Sequence, residues 1–276
     1  MSNISELLYQ NKTHANIFKQ CTAISKELNI PIYLVGGYVR DVILGKELKD
    51  IDIMAETSAE TFTNKLAKKL NVGTIIKFEK FHTYRIPYPE CEIEIAACRK
   101  EKYKSNSRKP SEIILTDLNG DLIRRDFTIN AIAVSLAHDN FGELFDPYNG
   151  LNDLNTGIIQ TPAEPNKTFI DDPLRMLRAI RFSCQLNFKL TPKTIESITK
   201  HRERIKIISW ERITAEIIKI LNTEKPSIGF YLLKETKLLH YVFPELDVMS
   251  GVDVVNGHSH KDVFIHTLEV VDNAAN

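Results

Sequence analysis

The sequence predicts an α+β protein, with a mixed sheet and helices as far as about residue 140 and an all-helical region after it. A continuous apolar run at 32–35 and a polar–apolar alternation at 50–54 are typical of strands, and amphipathic helical patterns at 14–28 and 58–70 flank them. Beyond residue 150, strand-like alternation disappears and the apolar residues recur with a helical period. The length of 276 residues exceeds the roughly 100–200 of a usual domain, so at least two substructures are expected.

The first elements are separated by proline and glycine. The helix at 14–28 ends before Pro31, and the apolar residues at 32–35 then predict a buried strand. Gly36 and Gly37 predict a tight turn into a short helix at 39–44, which Gly45 ends. The strand at 50–54 and the helix at 58–70 follow.

The remaining elements come from the same patterns. Strands are expected at 75–78, 82–86 and 91–97, and the basic, polar stretch 99–111 predicts a mobile loop. Segments 130–137 and 141–145 predict a helix or strand pair before a turn at Asp146-Pro147. Helices are expected at 167–185, 192–202, 209–222, 226–236 and 262–275.

Composition excludes several classes of protein. Lysine plus arginine number 36 and aspartate plus glutamate 36, so the chain carries no overall charge for coating nucleic acid, although 99–109 and 200–219 are locally basic. The sequence has no run of about 18 apolar residues, so no membrane-spanning helix is expected, and the N-terminus lacks the pattern of a secretory signal. The four cysteines lie far apart, which indicates reduced, structural thiols in a cytoplasmic protein.

The most informative segment is LVGGYVRDVILGKELKDIDIM, at 34–54. On a strand, residues i and i+2 share a face, so Asp50 and Asp52 are expected to project together and to repel each other unless a cation lies between them. Mg²⁺ prefers carboxylate oxygens and takes further ligands from substrate phosphates. The turn at Gly36-Gly37 lets the backbone approach a phosphate, and Arg40 is placed to hold a triphosphate oxygen. Taken singly, however, a D-x-D pair is usually solvated and a Gly-Gly pair is usually a turn.

Two other segments add polar groups. Glu94 is the candidate for a third carboxylate on an adjacent strand, with Glu92 as its competitor on the same strand face. In RRDFTINAIA (124–133), Arg125 suits a phosphate, and Asp126 with Asn130 suits ribose hydroxyls. Helix capping and an ordinary turn explain that second segment equally well.

A helix is expected in DDPLRMLRAIRF, at 171–182, with Asp172 as its N-cap and Pro173 at its first position. Arg175, Arg178 and Arg181 then follow one i, i+3, i+6 ridge, next to an apolar ridge of Leu174, Leu177 and Ile180 that should be buried. Guanidinium groups and a carboxylate on one edge can meet a base and a triphosphate together. A salt-bridged basic helix surface is the alternative.

Together these segments resemble the class II tRNA nucleotidyltransferases and bacterial poly(A) polymerases, within the DNA polymerase β-like nucleotidyltransferase superfamily. The resemblance covers about 32–220, in the family's order. The matching stretches are GGYVRDVILGKELKDID (36–52), EIAACRKEKY (94–103), RRDFTINAIA (124–133), DPYNGLNDL (146–154), DDPLRMLRAIRF (171–182) and WERITAE (210–216).

The resemblance implies a role for each matching residue. Asp50 and Asp52 would bind Mg²⁺, with Glu94 as the third catalytic carboxylate. Asp172 and Arg175 would read the Watson–Crick edges of CTP and ATP in place of a nucleic-acid template, although this chain has Asp171 where the family often has glutamate. The nucleotide-binding residues implied in this way are Gly36, Gly37, Arg40, Arg125, Asp126, Asn130, Asp172, Arg175, Arg178 and Arg181.

The implied activity is the addition of C, C and A to the tRNA 3′ end, from CTP and ATP, with no membrane or DNA partner. Poly(A) addition, a CC-adding or A-adding specialist, a non-catalytic RNA-binding module and a small-molecule nucleotidyltransferase are the alternatives. The resemblance divides the chain into a polymerase β-like head (1–140), a helical neck and body (141–247) and, at 248–276, the start of an HD-type domain cut short. His266 would be the first metal ligand of that domain, whose later His-Asp pair the chain lacks.

Overall fold

The computed structural model describes residues 2–103, 107, 110–251, 254–255, 258–259 and 262–275. The chain forms two compact units, one of residues 1–102 and 112–155 and the other of residues 103–111 and 156–276. Within the described ranges, no helix is both long enough and apolar enough to cross a membrane.

The first unit is built on a seven-stranded mixed sheet. Its strands are β1 (Ile32–Val35), β2 (Ile51–Ala55), β3 (Ile76–Phe78), β4 (Thr83–Tyr88), β5 (Cys91–Ala97), β8 (Ala133–Ser135) and β9 (Leu144–Phe145). They are ordered β3-β4-β5-β2-β1-β8-β9. Only the β2–β5 pair is parallel, and its register sets Asp52 beside Glu94. The predicted head boundary at residue 140 falls between β8 and β9.

Helices cover this sheet. Those of the first unit are α1 (Ser5–Leu8), α2 (Lys12–Leu28), α3 (Gly37–Ile43), α4 (Ala59–Lys69), α5 (Leu118–Leu122) and α6 (Gly150–Thr156). Tyr33 and Val35 pack with Leu118 and Leu122 of α5. Ile32 and Leu34, which point to the other face of β1, are fully buried. Because both faces of β1 are covered, its sequence is continuously apolar.

The second unit is mainly helical, whereas the sequence predicted an all-helical region, and two short strand pairs depart from that prediction. It contains α7 (Pro165–Asp171), α8 (Leu174–Leu186), α9 (Pro192–His201), α10 (Trp210–Leu221), α11 (Pro226–Glu235), α12 (Leu239–Val242), α13 (Pro244–Asp247) and α14 (Val263–Ala275). Helix α8 packs against α7, α10 and α11, and α11 packs against α14. Short strand pairs also occur here, namely β10 (Ile158–Ile159) with β11 (Lys189–Leu190), and β12 (Val254–Val255) with β13 (His258–Ser259).

The prediction of a mobile loop at 99–111 is wrong at both ends, where the structure has strands. Strands β6 (Arg99–Tyr103) and β7 (Pro110–Leu115) form a two-stranded sheet, in which the Lys102 ammonium lies 2.8 Å from the Glu112 carboxylate. Opposite charges on neighbouring strands favour such pairing, and a basic stretch read alone does not reveal its partner. Residues 104–106 and 108–109 of the predicted loop lie outside the described residues.

The DPYNGLNDL motif has a packing role in this fold. A Cβ on Gly150 would lie 2.2 Å from the carbonyl oxygen of Thr128, so α6 can approach that backbone only with glycine at this position. The Asp146 carboxylate accepts hydrogen bonds from the Gly150 and Leu151 amides at 2.7 and 2.9 Å, which satisfies the first turn of α6. Asp153 accepts a hydrogen bond from the Thr128 hydroxyl at 2.5 Å, so the motif fixes α6 against the segment that follows Asp126.

Candidate active site

The glycine turn joins β1 to α3 and leaves little free space. Gly36 has φ +73° and ψ −139°, a conformation that side-chain-bearing residues rarely adopt. A Cβ at this position would lie 3.0 Å from Nη1 of Arg125 and 3.4 Å from Oδ2 of Asp52. The turn therefore brings the backbone against an arginine and an aspartate that the sequence had already singled out.

Asp52 lies beside this turn, and the other two predicted carboxylates lie near Asp52. Ile51 and Ile53 of β2 are buried in the sheet, and Asp52 between them is partly exposed. Asp50 immediately precedes the strand, and its carboxylate accepts a hydrogen bond from the Glu92 amide at 3.1 Å. The parallel register then places Asp52 opposite Glu94 on β5.

Asp52 is electrostatically unusual. Removal of its carboxyl group from water raises the pKa of that group to about 6, against the favourable charge of Arg125, and the nearby carboxylates of Glu94 and Asp50 raise the pKa further. Negative charge is thus concentrated at a position where the surroundings disfavour it. A bound cation would relieve this repulsion.

The donor chemistry of these residues fits a divalent cation, because carboxylate oxygens are the ligands that hard cations prefer. In the part of the chain that the structure describes, however, no group of three or more histidine, cysteine, aspartate or glutamate side chains is arranged to hold a metal. Asp50 and Glu94 are instead engaged with other groups, so the three carboxylates are near one another without forming a preassembled set of ligands.

Arg85, which lies outside the sequence motifs, holds Glu94. Its guanidinium lies 3.2 Å from the carboxylate of Glu94 and 3.2 Å from that of Glu92. A two-residue connection between Tyr88 and Cys91 sets the register of the β4–β5 hairpin, which pairs Arg85 with Glu94. The short connection is the sequence signal for this hairpin register, whereas the ion pair itself is visible only in the structure.

Arg125 is held in place by Asp121, another residue that the motifs did not indicate. The Nε and Nη2 atoms of Arg125 donate to one oxygen of the fully buried Asp121 carboxylate at 3.2 and 3.0 Å, and Arg124 donates to the other oxygen. Burial alone would raise the pKa of Asp121, but the charges of Arg125 and Arg124 outweigh it and hold that pKa below its usual value. The i, i+4 spacing of Asp121 and Arg125 is the sequence signal for this pair.

Arg40, Asp126 and Asn130 form a buried network. Arg40 donates to the side-chain oxygen of Asn130 at 2.8 Å and to the carboxylate of Asp41 at 2.8 and 2.9 Å. Asn130 in turn donates to Asp126 at 3.0 Å. The structure thus brings these three predicted nucleotide-binding residues together, and it connects α3 to the RRDFTINAIA segment. Their contact with a nucleotide stays a prediction.

The remaining predicted residues lie on the second unit, where α8 begins at Leu174. The predicted N-cap is shifted by one residue, because Pro173 and not Asp172 occupies the N-cap position of α8. The Asp172 carboxylate still accepts a hydrogen bond from the Leu174 amide at 3.2 Å. Burial of the ridge formed by Leu174, Leu177 and Ile180 is confirmed.

The three arginines of α8 do not share one environment. Arg175 and Arg178 are partly exposed, whereas Arg181 is buried. Arg181 donates to Glu216 of α10 at 2.6 Å and to Gln185 at 2.8 Å, and its guanidinium lies 3.9 Å from the centre of the Phe182 ring. Arg181 therefore joins two helices, and its place in a nucleotide pocket stays a prediction.

Comparison with known families decides the relationship. Residues 32–160 match the poly A polymerase head domain, and residues 187–249 match a region described as the probable RNA and SrmB-binding site of polymerase A. The chain belongs to the tRNA nucleotidyltransferase and poly(A) polymerase family. The first match contains the glycine turn, both aspartates of the D-x-D pair and Arg125.

Several curated members of this family are similar to the chain. A CCA-adding enzyme of Enterococcus faecalis is 33% identical over 233 residues, which are 83% of this chain and 55% of that protein. A CCA-adding enzyme of Bacillus pumilus is 36% identical over 207 residues, or 75% of this chain and 50% of that protein. The chain thus spans about half the length of the curated relatives that it matches.

Solved structures of family members have the same fold. A CCA-adding enzyme in an apo form superposes with a TM-score of 0.79 at 32% identity, covering 89% of this chain and 59% of that one. The Thermotoga maritima CCA-adding enzyme complexed with tRNA superposes with a TM-score of 0.77 at 31% identity, covering 88% and 56%. The predicted α+β fold is therefore confirmed.

The region 187–249, which matches the probable RNA and SrmB-binding site of polymerase A, contains a basic groove. The groove has a volume of about 270 Å³ and is lined by Arg202, Lys234, Lys237, His240, Tyr241 and Asp247. Asp247 is the single acidic side chain of that lining, and it lies 3.9 Å from Lys234 and 3.4 Å from His240. The remaining positive charge is suited to an anionic partner.

Proposed function

We propose that the chain is the nucleotidyl-transferring part of a CCA-adding enzyme, which adds C, C and A from CTP and ATP to the tRNA 3′ end. The observation that carries the proposal is that Asp52 lies beside the Gly36 turn and Arg125 and, in the same sheet, opposite Glu94. The names of the similar proteins support CCA addition over other nucleotidyl transfers.

In the proposed reaction, the 3′-hydroxyl of the RNA attacks the α-phosphorus of the nucleotide and pyrophosphate leaves. Asp50 and Asp52, with Glu94 as a third carboxylate, would hold Mg²⁺, which when bound would neutralise phosphate charge and activate the hydroxyl. Arg125, which Asp121 fixes, would orient the triphosphate next to the glycine turn. Such positioning supplies much of the catalysis in phosphoryl transfer.

Base selection would come from the second unit. Asp172 and Arg175 lie at the start of α8 and would pair with the base edge, while Arg178 continues that ridge. Arg40, Asp126 and Asn130 would contact the phosphates and the sugar through the network that they form. The basic groove lined by Arg202 and Lys237 would hold RNA phosphates.

The division of the chain into domains belongs to the same proposal. We assign a head to 1–140, a neck and body to 141–247, and the start of an HD-type domain to 248–276. His266 lies on α14 with its side chain 60% exposed and 3.6 Å from the carboxylate of Glu269. We also propose a cytoplasmic location, which four buried cysteines without disulfide bonds support.

The direct test is nucleotide addition to a tRNA transcript that ends before its CCA sequence. The purified chain is incubated with Mg²⁺ and with CTP alone, ATP alone or both, and the products are resolved at single-nucleotide length. We expect two additions with CTP and a third only when ATP is also present. Asp52→Asn, the matched control, should lose addition while keeping its fold by circular dichroism.

A poly(A) polymerase is the second candidate function, and both family descriptions favour it by name. It would use the same carboxylates but would extend RNA with ATP alone and produce long tails. Long ATP-only products would therefore replace the CCA assignment with this one. No addition by the wild-type chain to any RNA under these conditions would count against both.

A further inference from the structure

Arg85 occupies a distinctive position beside the proposed metal-binding carboxylates. It lies on β4, directly opposite Glu94 on β5, and Glu94 lies opposite Asp52 on β2. The three side chains therefore form a row across three neighbouring strands. Arg85 therefore pairs with Glu94, the carboxylate that a metal bound at Asp52 would also attract.

The guanidinium is oriented by carboxylates. It lies 3.2 Å from Glu92 and 3.2 Å from Glu94, and its carbon lies 5.5 Å from the centre of the Phe78 ring. In the described part of the chain, its Nε atom is buried without a hydrogen-bond acceptor. Arg85 thus leaves one donor unsatisfied while it pairs with two glutamates, so the two ion pairs determine its position.

These ion pairs are weak enough to be exchanged. The side chains of Arg85, Glu92 and Glu94 are 33%, 49% and 38% exposed, and ion pairs that water reaches contribute little to stability. A divalent cation carries twice the charge of a guanidinium and can bind the Glu94 oxygens directly. Glu94 can therefore leave Arg85 without disrupting the core.

We propose that Arg85 is a positioning residue that competes with the divalent cation for Glu94 and so weakens cation binding at Asp50 and Asp52 until a nucleotide is present. The inference rests on the proposed function, because it assumes that these aspartates hold the metal. Arg85 keeps Glu94 neutralised in the metal-free protein. A triphosphate, which brings its own ligands, then adds the affinity that the protein alone lacks.

The test measures cation binding to the purified chain without nucleotide or RNA. Mn²⁺ is titrated at pH 8 by calorimetry and by the loss of the free-ion electron paramagnetic resonance signal. Arg85→Gln removes the competing charge, so we expect it to tighten Mn²⁺ binding about tenfold. In a Glu94→Gln background, the same substitution should change the affinity less than twofold, because the contested carboxylate is gone.

Lys77→Gln is the matched control. Lys77 lies on β3, next to β4, and pairs with Glu60 at 2.7 Å, so its removal makes the same change in net charge without freeing Glu94. It should alter Mn²⁺ affinity less than twofold. Equal urea midpoints for wild type and Arg85→Gln would show that the fold is unchanged.

The possible outcomes separate this inference from the proposed function. The inference is overturned if Arg85→Gln leaves the Mn²⁺ affinity unchanged or weakens it. It is also overturned if the tightening persists in the Glu94→Gln background or if Lys77→Gln tightens binding equally. A higher KM for CTP with unchanged Mn²⁺ affinity would instead make Arg85 a nucleotide contact. If wild type and all variants bind no Mn²⁺ with or without CTP, the metal assignment itself fails.

Discussion

Replacing Gly36 with alanine tests the geometry of the turn. The backbone conformation at this position is essentially restricted to glycine, so it costs another residue about 1–3 kcal/mol. The new Cβ would also lie 3.0 Å from Nη1 of Arg125, and ordinary contact begins at 3.4 Å, so the arginine must move by a few tenths of an ångström. Asp121 holds that arginine through two hydrogen bonds, so the movement strains a buried ion pair.

Gly45→Ala provides the matched control. Gly45 also has a positive φ of +63°, but a Cβ there meets nothing within 4 Å. Alanine in a left-handed conformation costs about 1–2 kcal/mol. Its reduced freedom in the unfolded chain offsets about 0.4–1 kcal/mol of that cost. Gly45→Ala should therefore lower the free energy of unfolding by about 1 kcal/mol, whereas Gly36→Ala, which adds the close contact with Arg125, should lower it by about 2 kcal/mol.

The assay combines urea denaturation with steady-state nucleotide addition. We expect Gly36→Ala to lower kcat/KM for CTP at least tenfold at a temperature where the variant is fully folded, because Arg125 no longer lies beside the turn. Gly45→Ala should keep kcat/KM within twofold of the wild type. Equal losses of stability and activity in the two variants would refute the argument that the turn needs glycine for its approach to Arg125 and Asp52.

Four other predictions follow from charges in the two units. Because burial raises the pKa of Asp52 from 3.8 to about 6, protons compete with cations there, so Mn²⁺ affinity should fall as pH falls from 7 to 5, with proton release visible by calorimetry in two buffers. The same shift means that the metal-free fold loses stability as pH rises from about 4 to 6, and Asp52→Asn should remove that slope in urea denaturation. The pKa of Asp121 is lowered in the folded protein, so this carboxylate stabilises the fold above its unfolded-state pKa, and the stabilisation is lost as the pH falls through its folded-state pKa. Asp121→Asn should therefore lower the free energy of unfolding by about 2 kcal/mol at pH 7 and by less in acid. An equal loss at both pH values would contradict this. Lys237→Gln in the basic groove should reduce the salt dependence of tRNA binding by about one phosphate contact, measured by fluorescence anisotropy, whereas the exposed Lys193→Gln on α9 should not.

Local sequence patterns were sufficient to predict helices, strands and buried helix faces, because these features depend on interactions between residues close together in the chain. The apolar run at 32–35 matches β1 residue for residue, and the helix expected at 14–28 extends only two residues further at its N-terminus. Leu174, Leu177 and Ile180 were predicted to be buried from their spacing alone, because a helix presents every third or fourth residue to the same neighbour. The family resemblance rested on motifs of this kind.

Pairing between strands was harder to predict. The stretch 99–111 has a basic, polar composition, and nothing within 99–103 indicates a strand. Glu112 supplies the opposite charge from the next strand and lies ten residues beyond Lys102. Arg85 was missed for the same reason, since its importance depends on the hairpin register that places it against Glu94.

The sequence by itself determined the fold class, the positions of most helices and strands, and the residues with the chemistry for metal and phosphate binding, because backbone preference and residue type are local properties. Only the tertiary structure decided which charges from different elements neighbour each other: that Arg181 pairs with Glu216, and that Glu94 is engaged by Arg85. Ion pairs form over a few ångströms, and folding sets those distances between residues as many as 35 positions apart in the chain.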